Sequence, residues 1–493
     1  VATRNGEPEA RAMLEGLAGR GLLIDGDWAG PGRGGTYAHH DPATGRHQAD
    51  VGLASAREVD DAVRAARAAF PSWRRTPPHR RAAVLARLAD LLDEHAASSA
   101  ALNALDNGTP VSAMPSGHYA ASWTRYYAGW VDKLDGEVLP VHDTGALDYT
   151  RTEPYGVVAA IVPWNGPMMG MGQKVAPALA AGNTVVVKPP ELAPFGALRF
   201  AELALEAGLP AGVLNVVPGG AATGQALVGH PGVAKISFTG GTATAREVMA
   251  IAARHCTPLA LELGGKSANI VFADADLDTA VPVAAVLGAG LLSGQGCALP
   301  TRLYVDERVV DEVVARVVAQ VESLPIGDPL DPSTLVGPLV NQAACTRVLG
   351  VIERAHADGA RLATGGRRLA DTLEEGYYVA PTVFCDVDQH SDLATQEVFG
   401  PVLAVLPFAD EDEVVSRAND SAFGLAAYLH TRDLSRALRL VEALEVGTVT
   451  VNGFPPMSPS APFGGMKASG FGREGGRAGI EEFVQRKNVT LRY

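Results

Sequence analysis

At 493 residues the chain is too long for one hydrophobic core, and its 47% apolar, 19% charged composition is that of a globular protein of two to four domains. A net charge of −14 argues against nucleic-acid phosphates and anionic membrane surfaces as partners, and the acidic residues are scattered rather than gathered in a tail. Cys256, Cys297, Cys345 and Cys385 form no CxxC pair and no Cys/His ligand spacing, which favours reduced thiols in a cytoplasmic protein over a disulfide framework or a zinc site.

The opening segment VATRNGEPEARAMLEGLAGR has no apolar signal core, and its glutamates are unlike a transit peptide. His39 and His40 precede the turn signal DPATG and are expected at the surface. Residues 57–105 carry Ala, Arg, Leu and Asp at helical spacing, predicting two amphipathic helices broken at TPPHRR. Residues 134–162 read as β structure with Gly and Pro turns, an arm suited to another subunit's sheet edge. Strand and helix then alternate: TVVVK (184–188), a helix over 194–208, a strand over 212–219, a helix near 221–228, the strand VAKISF (233–238) and a helix over 241–255. Such alternation implies βαβ units and a parallel sheet covered by helices. A second such region runs from Lys266 to about Asn452, with strands ANIVF, TRLYV and GTVTVN. Its apolar stretch AVPVAAVLGAGLL (280–292) is too short to span a bilayer and predicts a buried helix. The expected architecture is α/β, with two parallel-sheet domains and a small β arm.

Five constellations could carry chemistry. Cys297 lies in LSGQGCALPTRLYV, where Gly294 and Gly296 leave room and a strand follows, a junction that can present a thiol into a cleft. Glu262 sits in the apolar run of PLALELGGK, where burial raises a carboxyl toward the range of a general base. Asn165, at the end of AAIVPWN, is an amide able to donate to a developing oxyanion. In VVVKPPE, Lys188 and Glu191 at a strand's carboxyl end pair a donor and an acceptor suited to ribose hydroxyls, or else an exposed ion pair. ISFTGGTATAREV is a strand, a Gly-Gly turn and a helix N-terminus suited to pyrophosphate, without the GxGxxG spacing. Cys345 and Cys385 read as packing residues, and the adjacent pair His255–Cys256 as structural, because reactive dyads need spatial adjacency.

Taken in order, PWN, KPPE, FTG, LELGGK, a cysteine five residues before an arginine, EVFGPV and PFGGMKASGFGRE resemble the NAD(P)-dependent aldehyde dehydrogenase superfamily, from LLIDGDW (22–28) to RKNVTLRY. The resemblance implies a Rossmann-like cofactor domain (1–131 and 151–262), a catalytic domain (263–465) and an oligomerisation arm (132–150 and 477–493). It implies a Cys297 nucleophile, an oxyanion held by Asn165 and the Cys297 N–H, Glu262 activating water, and Lys174 assisting the water or proton path. It further assigns Lys188 and Glu191 to the adenine-side ribose, Thr239 and Gly240 to the turn near nicotinamide and pyrophosphate, and Glu397 with Phe399 to the nicotinamide ribose. Trp164 lines the cofactor crevice, and no metal is needed. Two departures stand out: Gly241 where many relatives carry Ser, and Ala245 where many have Gly. Glu191 points to NAD over NADP. Gly166, Gly170 and Gln173, with Met457 and Phe463 opposite, imply a roomy tunnel for a bulky hydrophobic aldehyde. A homodimer or homotetramer is expected, without nucleic-acid or membrane partners. The alternatives are a CoA-acylating semialdehyde dehydrogenase, which typically lacks the glutamate base, and a catalytically silent binding protein that keeps the fold.

Overall fold

The computed structural model describes residues 6–142, 145–369, 373, 375–455 and 458–493. Helix α1 (Glu7–Arg20) buries Ala10, Leu14 and Leu17 along one face. Helix α2 (Ala56–Trp73) starts at a capping box in which Ser55 and Glu58 satisfy each other's backbone N–H groups, and it buries Val59, Ala62, Val63 and Ala66. From Pro78, within TPPHRR, the chain forms α3 (Pro78–Glu94) and then α4 (Ala96–Asn107) rather than one helix, because His95 leaves helical geometry at φ −103°, ψ 17°. Helix α5 (Ser116–Ala128) packs against α3.

Strand β1 (Ala146–Pro154) belongs to the arm, and β2 (Val157–Ile161) opens the first large sheet. A continuous helix over 167–180, α6, contains a π turn at Met171–Val175. There follow β3 (Thr184–Lys188), α7 (Phe195–Glu206), β4 (Leu214–Val216), α8 (Ala221–Val228), β5 (Lys235–Thr239), α9 (Thr242–Ala252) and β6 (Leu259–Glu262). The parallel strands are ordered β4-β3-β2-β5-β6, with short antiparallel strands at both edges. The order reverses at β2, so the crevice beyond the carboxyl ends of β2 and β5 is the switch point where open α/β sheets bind ligands.

The second sheet holds β7 (Ala268–Val271), β8 (Arg302–Asp306), β9 (Arg361–Thr364), β10 (Thr382–Cys385), β11 (Val402–Phe408), β12 (Ala426–His430) and β13 (Thr448–Val451). Its order is β9-β10-β11-β8-β7-β12-β13, parallel throughout except for the β9–β10 pair. The helical run 277–294 lies against this sheet, two thirds of it buried, longer than the apolar stretch that announced it. β14 (Val484–Arg492) pairs with β1 residue for residue from Val484–Pro154 to Arg492–Ala146, and Val138–Leu139 adds a third strand.

His39 corrects an expectation. It is 1% exposed, with Nε2 3.3 Å from Asp106 Oδ1, while His40 points outward. Both belong to the strand Thr36–His40, where alternate residues face opposite sides, so the turn signal beyond them could not decide both.

Candidate active site

The helical run 277–294 ends in an unusual turn: Leu292, Ser293 and Gly294 all have positive φ, 53°, 53° and 72°. The first two are strained for residues with a Cβ, and surrounding bonds hold them there. Ser293 Oγ donates to Gly337 O at 2.7 Å, and the Gln295 amide donates to Leu292 O (3.1 Å) and Pro338 O (3.3 Å). Gln295 Oε1 in turn accepts from Val340 N at 2.9 Å. A methyl on Gly294 would lie 2.0 Å from Gly400 O, and one on Gly265 would lie 2.5 Å from Cys297 O. Glycines of GQGC and LELGGK therefore let three loops meet backbone to backbone around the half-buried Cys297. Tyr428 OH donates to Ala298 O at 3.2 Å, just beyond the sulfur. Burial, with the Glu397, Glu262 and Glu474 carboxylates, pushes the Cys297 thiol up to about 12.

Asn165 reaches this turn from the other sheet. It follows fully buried β2 and Pro163, and its Nδ2 donates to Gln295 O at 2.8 Å. One amide N–H remains for another acceptor. Trp164 stands edge-on to Phe399, ring centroids 5.3 Å apart. Gly166 is buried, and a Cβ there would come 3.2 Å from Met169 Cε. The space over Gly170 is filled by Val162 and Pro163, each about 3.3 Å from where a Cβ would stand. Gln173 and Phe463 are half-buried; Met457 lies outside the described residues.

Glu262 ends β6 and is 5% exposed, and neither carboxylate oxygen has a hydrogen-bond partner among the described residues. Burial raises its pKa well above the ordinary value; Glu474 raises it further, and Lys174 and Arg473 oppose. Lys174, buried on the π turn, donates to Glu474 Oε1 at 2.6 Å and to Ser237 Oγ at 3.1 Å. Lys174, Ser237, Glu262, Arg473 and Glu474 line a small cavity of about 10 Å³, room for one water.

The remaining candidates ring the carboxyl end of the first sheet. Lys188 ends β3 at 7% exposure and donates to Gly219 O (2.5 Å) and Pro189 O (3.3 Å), so it is no exposed ion pair. Burial pushes its pKa down to about 8, opposed by Glu191. Glu191 lies against Gly220, where a Cβ would come 3.3 Å from Oε1. Thr239 is the register partner of Glu262, and Gly240 N donates to Glu262 O at 3.1 Å. Gly241 precedes α9 with open space where a side chain would stand, and Ala245 is fully buried. Glu397 accepts from Gly265 N at 3.0 Å, and burial raises its pKa.

A thiol, an amide donor and a buried carboxyl converge beside a switch-point crevice. Over residues 28–489 the chain matches the aldehyde dehydrogenase family. The chain belongs to that family. A phenylacetaldehyde dehydrogenase of Pseudomonas fluorescens is 43% identical over 483 residues, 96% of each chain. The NAD+ complex of an aldehyde dehydrogenase from Bacillus cereus has a TM-score of 0.93 at 38% identity, covering 96% of each chain. An E. coli NADP-dependent enzyme has a TM-score of 0.93 at 39% identity, covering 97% of this chain and 99% of the other. The protein is thus an aldehyde dehydrogenase, an oxidoreductase of α/β fold that oxidises aldehydes with NAD(P).

The crevice residues fit that cofactor. Lys188 has one N–H to spare beyond its two carbonyl partners, Glu191 offers an acceptor beside it, and the N-terminus of α9 faces open space past Gly241. Reasoning from sequence overlooked Gln295, Asn107, Ser237 and the role of Glu474. Gln295, Glu474 and Ser237 stood inside motifs already noticed, whereas Asn107 carries no local signal.

Proposed function

We propose that the protein is a hydrolytic aldehyde dehydrogenase in which Cys297 carries the acyl group and Glu262 releases it. The buried, unpartnered carboxyl of Glu262 supports this reading most directly, because such a group is poised to take a proton from water. Cys297 Sγ attacks the aldehyde carbon, surrendering its proton to solvent as the bond forms, since a thiol pushed up to about 12 is protonated at neutral pH. The carbonyl oxygen becomes an oxyanion, met by the free N–H of Asn165 and the backbone N–H of Cys297. Bound NAD(P) supplies the hydride acceptor, and the carbon on Cys297 is then a thioester. Glu262 takes a proton from water as the oxygen attacks that thioester, freeing the acid and the thiol. Lys174 and Glu474, joined at 2.6 Å, adjoin the Glu262 cavity and can pass that proton onward.

In this reading the eight-stranded sheet unit holds the cofactor through Trp164, Lys188, Glu191, Thr239 and Gly240, with Glu397 and Phe399 contributed from the seven-stranded unit. NAD is preferred, because Glu191 would oppose a 2′-phosphate. The substrate is a bulky hydrophobic aldehyde. Gly166 puts no side chain beside Asn165, and the similar Pseudomonas fluorescens enzyme is a phenylacetaldehyde dehydrogenase. The arm joins subunits of a cytoplasmic homo-oligomer through its exposed Val138, Leu147 and Leu491. The test is a panel of acetaldehyde, betaine aldehyde, benzaldehyde, phenylacetaldehyde and decanal, with NADH and acid both quantified. One acid per NADH without CoA, and higher kcat/KM for the last three, is expected; preference for the first two overturns the substrate class.

A further inference from the structure

Asn107 lies outside the constellations considered so far, yet its amide is bonded as fully as that of Gln295. It ends α4 and is 1% exposed. Nδ2 donates to Trp164 O at 2.8 Å and to Asn103 Oδ1 at 3.2 Å, while Oδ1 accepts from Thr109 N at 3.0 Å. Both donors are used, so the amide has one orientation. The chain can turn away after it only because Gly108 takes φ +80°; a methyl there would lie 2.7 Å from Pro338 Cγ.

The carbonyl that Asn107 grips belongs to the Trp164–Asn165 peptide. A peptide unit is planar, so holding its oxygen fixes the plane from which Asn165 departs. The far end of Asn165 is held at 2.8 Å by Gln295 O, two residues before Cys297. Gln295 is itself tied to Leu292, Pro338 and Val340.

We propose that Asn107 is a positioning residue for the oxyanion donor: it clamps the backbone of Asn165, Gln295 holds the other end, and the free N–H is thereby aimed before substrate arrives. The inference rests on the oxyanion role proposed for Asn165. Asn107 touches neither substrate nor cofactor in this account and acts only through Asn165.

The test is a double-mutant cycle. Asn107→Asp keeps shape and the bond from Thr109 but replaces the donor to Trp164 O with an acceptor; Asn107→Ser vacates the contact without adding charge. Removing an oxyanion donor costs about 10²–10³ in rate, and misaiming one costs less, so each variant is expected to lose about tenfold to a hundredfold in kcat, with aldehyde KM changed less than threefold. Iodoacetamide alkylation of Cys297 needs no oxyanion and is expected to keep its rate within twofold. In an Asn165→Ala background, Asn107→Ser is expected to cost less than twofold further, since the residue it serves has gone. A full second loss in that background, or slowed alkylation, makes Asn107 a general structural residue and overturns the clamp alone. Asn165→Ala with undiminished kcat overturns the oxyanion assignment and the clamp together. If Asn107→Asp does not fold, Asn107→Ser carries the cycle.

Discussion

Glu262→Gln separates two demands on one side chain. The amide keeps the shape of the carboxyl but cannot take a proton. A positioned general base contributes about 10²–10⁴ in rate, so kcat is expected to fall by that factor, about 3–5 kcal/mol in activation free energy. If Glu262 acts mainly on the thioester, a first turnover of one NADH per subunit survives, followed by near silence. The same substitution is legible in stability. Burial and Glu474 hold the pKa of Glu262 above its ordinary 4.5, so over that window the folded chain keeps a proton that the unfolded chain has lost. Stability therefore falls as pH rises from 4.5 through the folded value, by at most about 1.4 kcal/mol per pH unit. Gln has no such proton, and the carboxyl is only 5% exposed, so water screens little of the effect. Thermal melts of both proteins in steps from pH 4.5 to pH 9, with rapid-mixing measurement of NADH, make the assay. Steady-state turnover within tenfold of the parent, or a melting difference that nowhere shifts in favour of Gln as pH rises above 4.5, would refute the reasoning.

Three further outcomes follow from the geometry. The iodoacetamide rate at Cys297, followed by peptide mass spectrometry to separate it from exposed Cys256, is expected to rise about tenfold per pH unit between pH 7 and 9.5, because the thiol is pushed up to about 12; a plateau below pH 8.5 contradicts this. Glu191→Ser is expected to raise kcat/KM for NADP at least tenfold while lowering that for NAD, measured with one aldehyde held saturating; no gain for NADP removes Glu191 from cofactor choice. Gly294→Ala places a methyl 2.0 Å from Gly400 O at φ +72° and is expected to cost about 3 kcal/mol, seen in the urea midpoint; a parental midpoint is the contrary result.

Much of the frame was legible before any coordinates. Thr184–Lys188 and Ala221–Val228 coincide with their predicted strand and helix, because fully buried strands and short helices between glycine turns carry strong local signals. The break at His95 did not show, since no Pro or Gly marks it and alanines continue on both sides. Cys297, Glu262 and Asn165 stood out through their motifs, but what braces them did not. Asn107 is 57 positions from the carbonyl it holds, and Lys174 is 300 from Glu474; such pairings exist only once distant segments have packed around the first sheet. His39 failed for the related reason that its partner, Asp106, lies on another element.

Thr239 and Glu262 are register partners on neighbouring strands, and Gly240 N is bonded to the carbonyl of Glu262. In the proposed reading, the turn that receives the dinucleotide and the carboxyl that activates water therefore sit on two strands bonded to each other. On that reading, redesign of the turn at 239–241 to admit another coenzyme is expected to disturb Glu262 as well, so variants selected for new coenzyme use should betray themselves by slow acid release. Altering the pocket around Glu191, on the far side of β2, leaves that shared seam untouched.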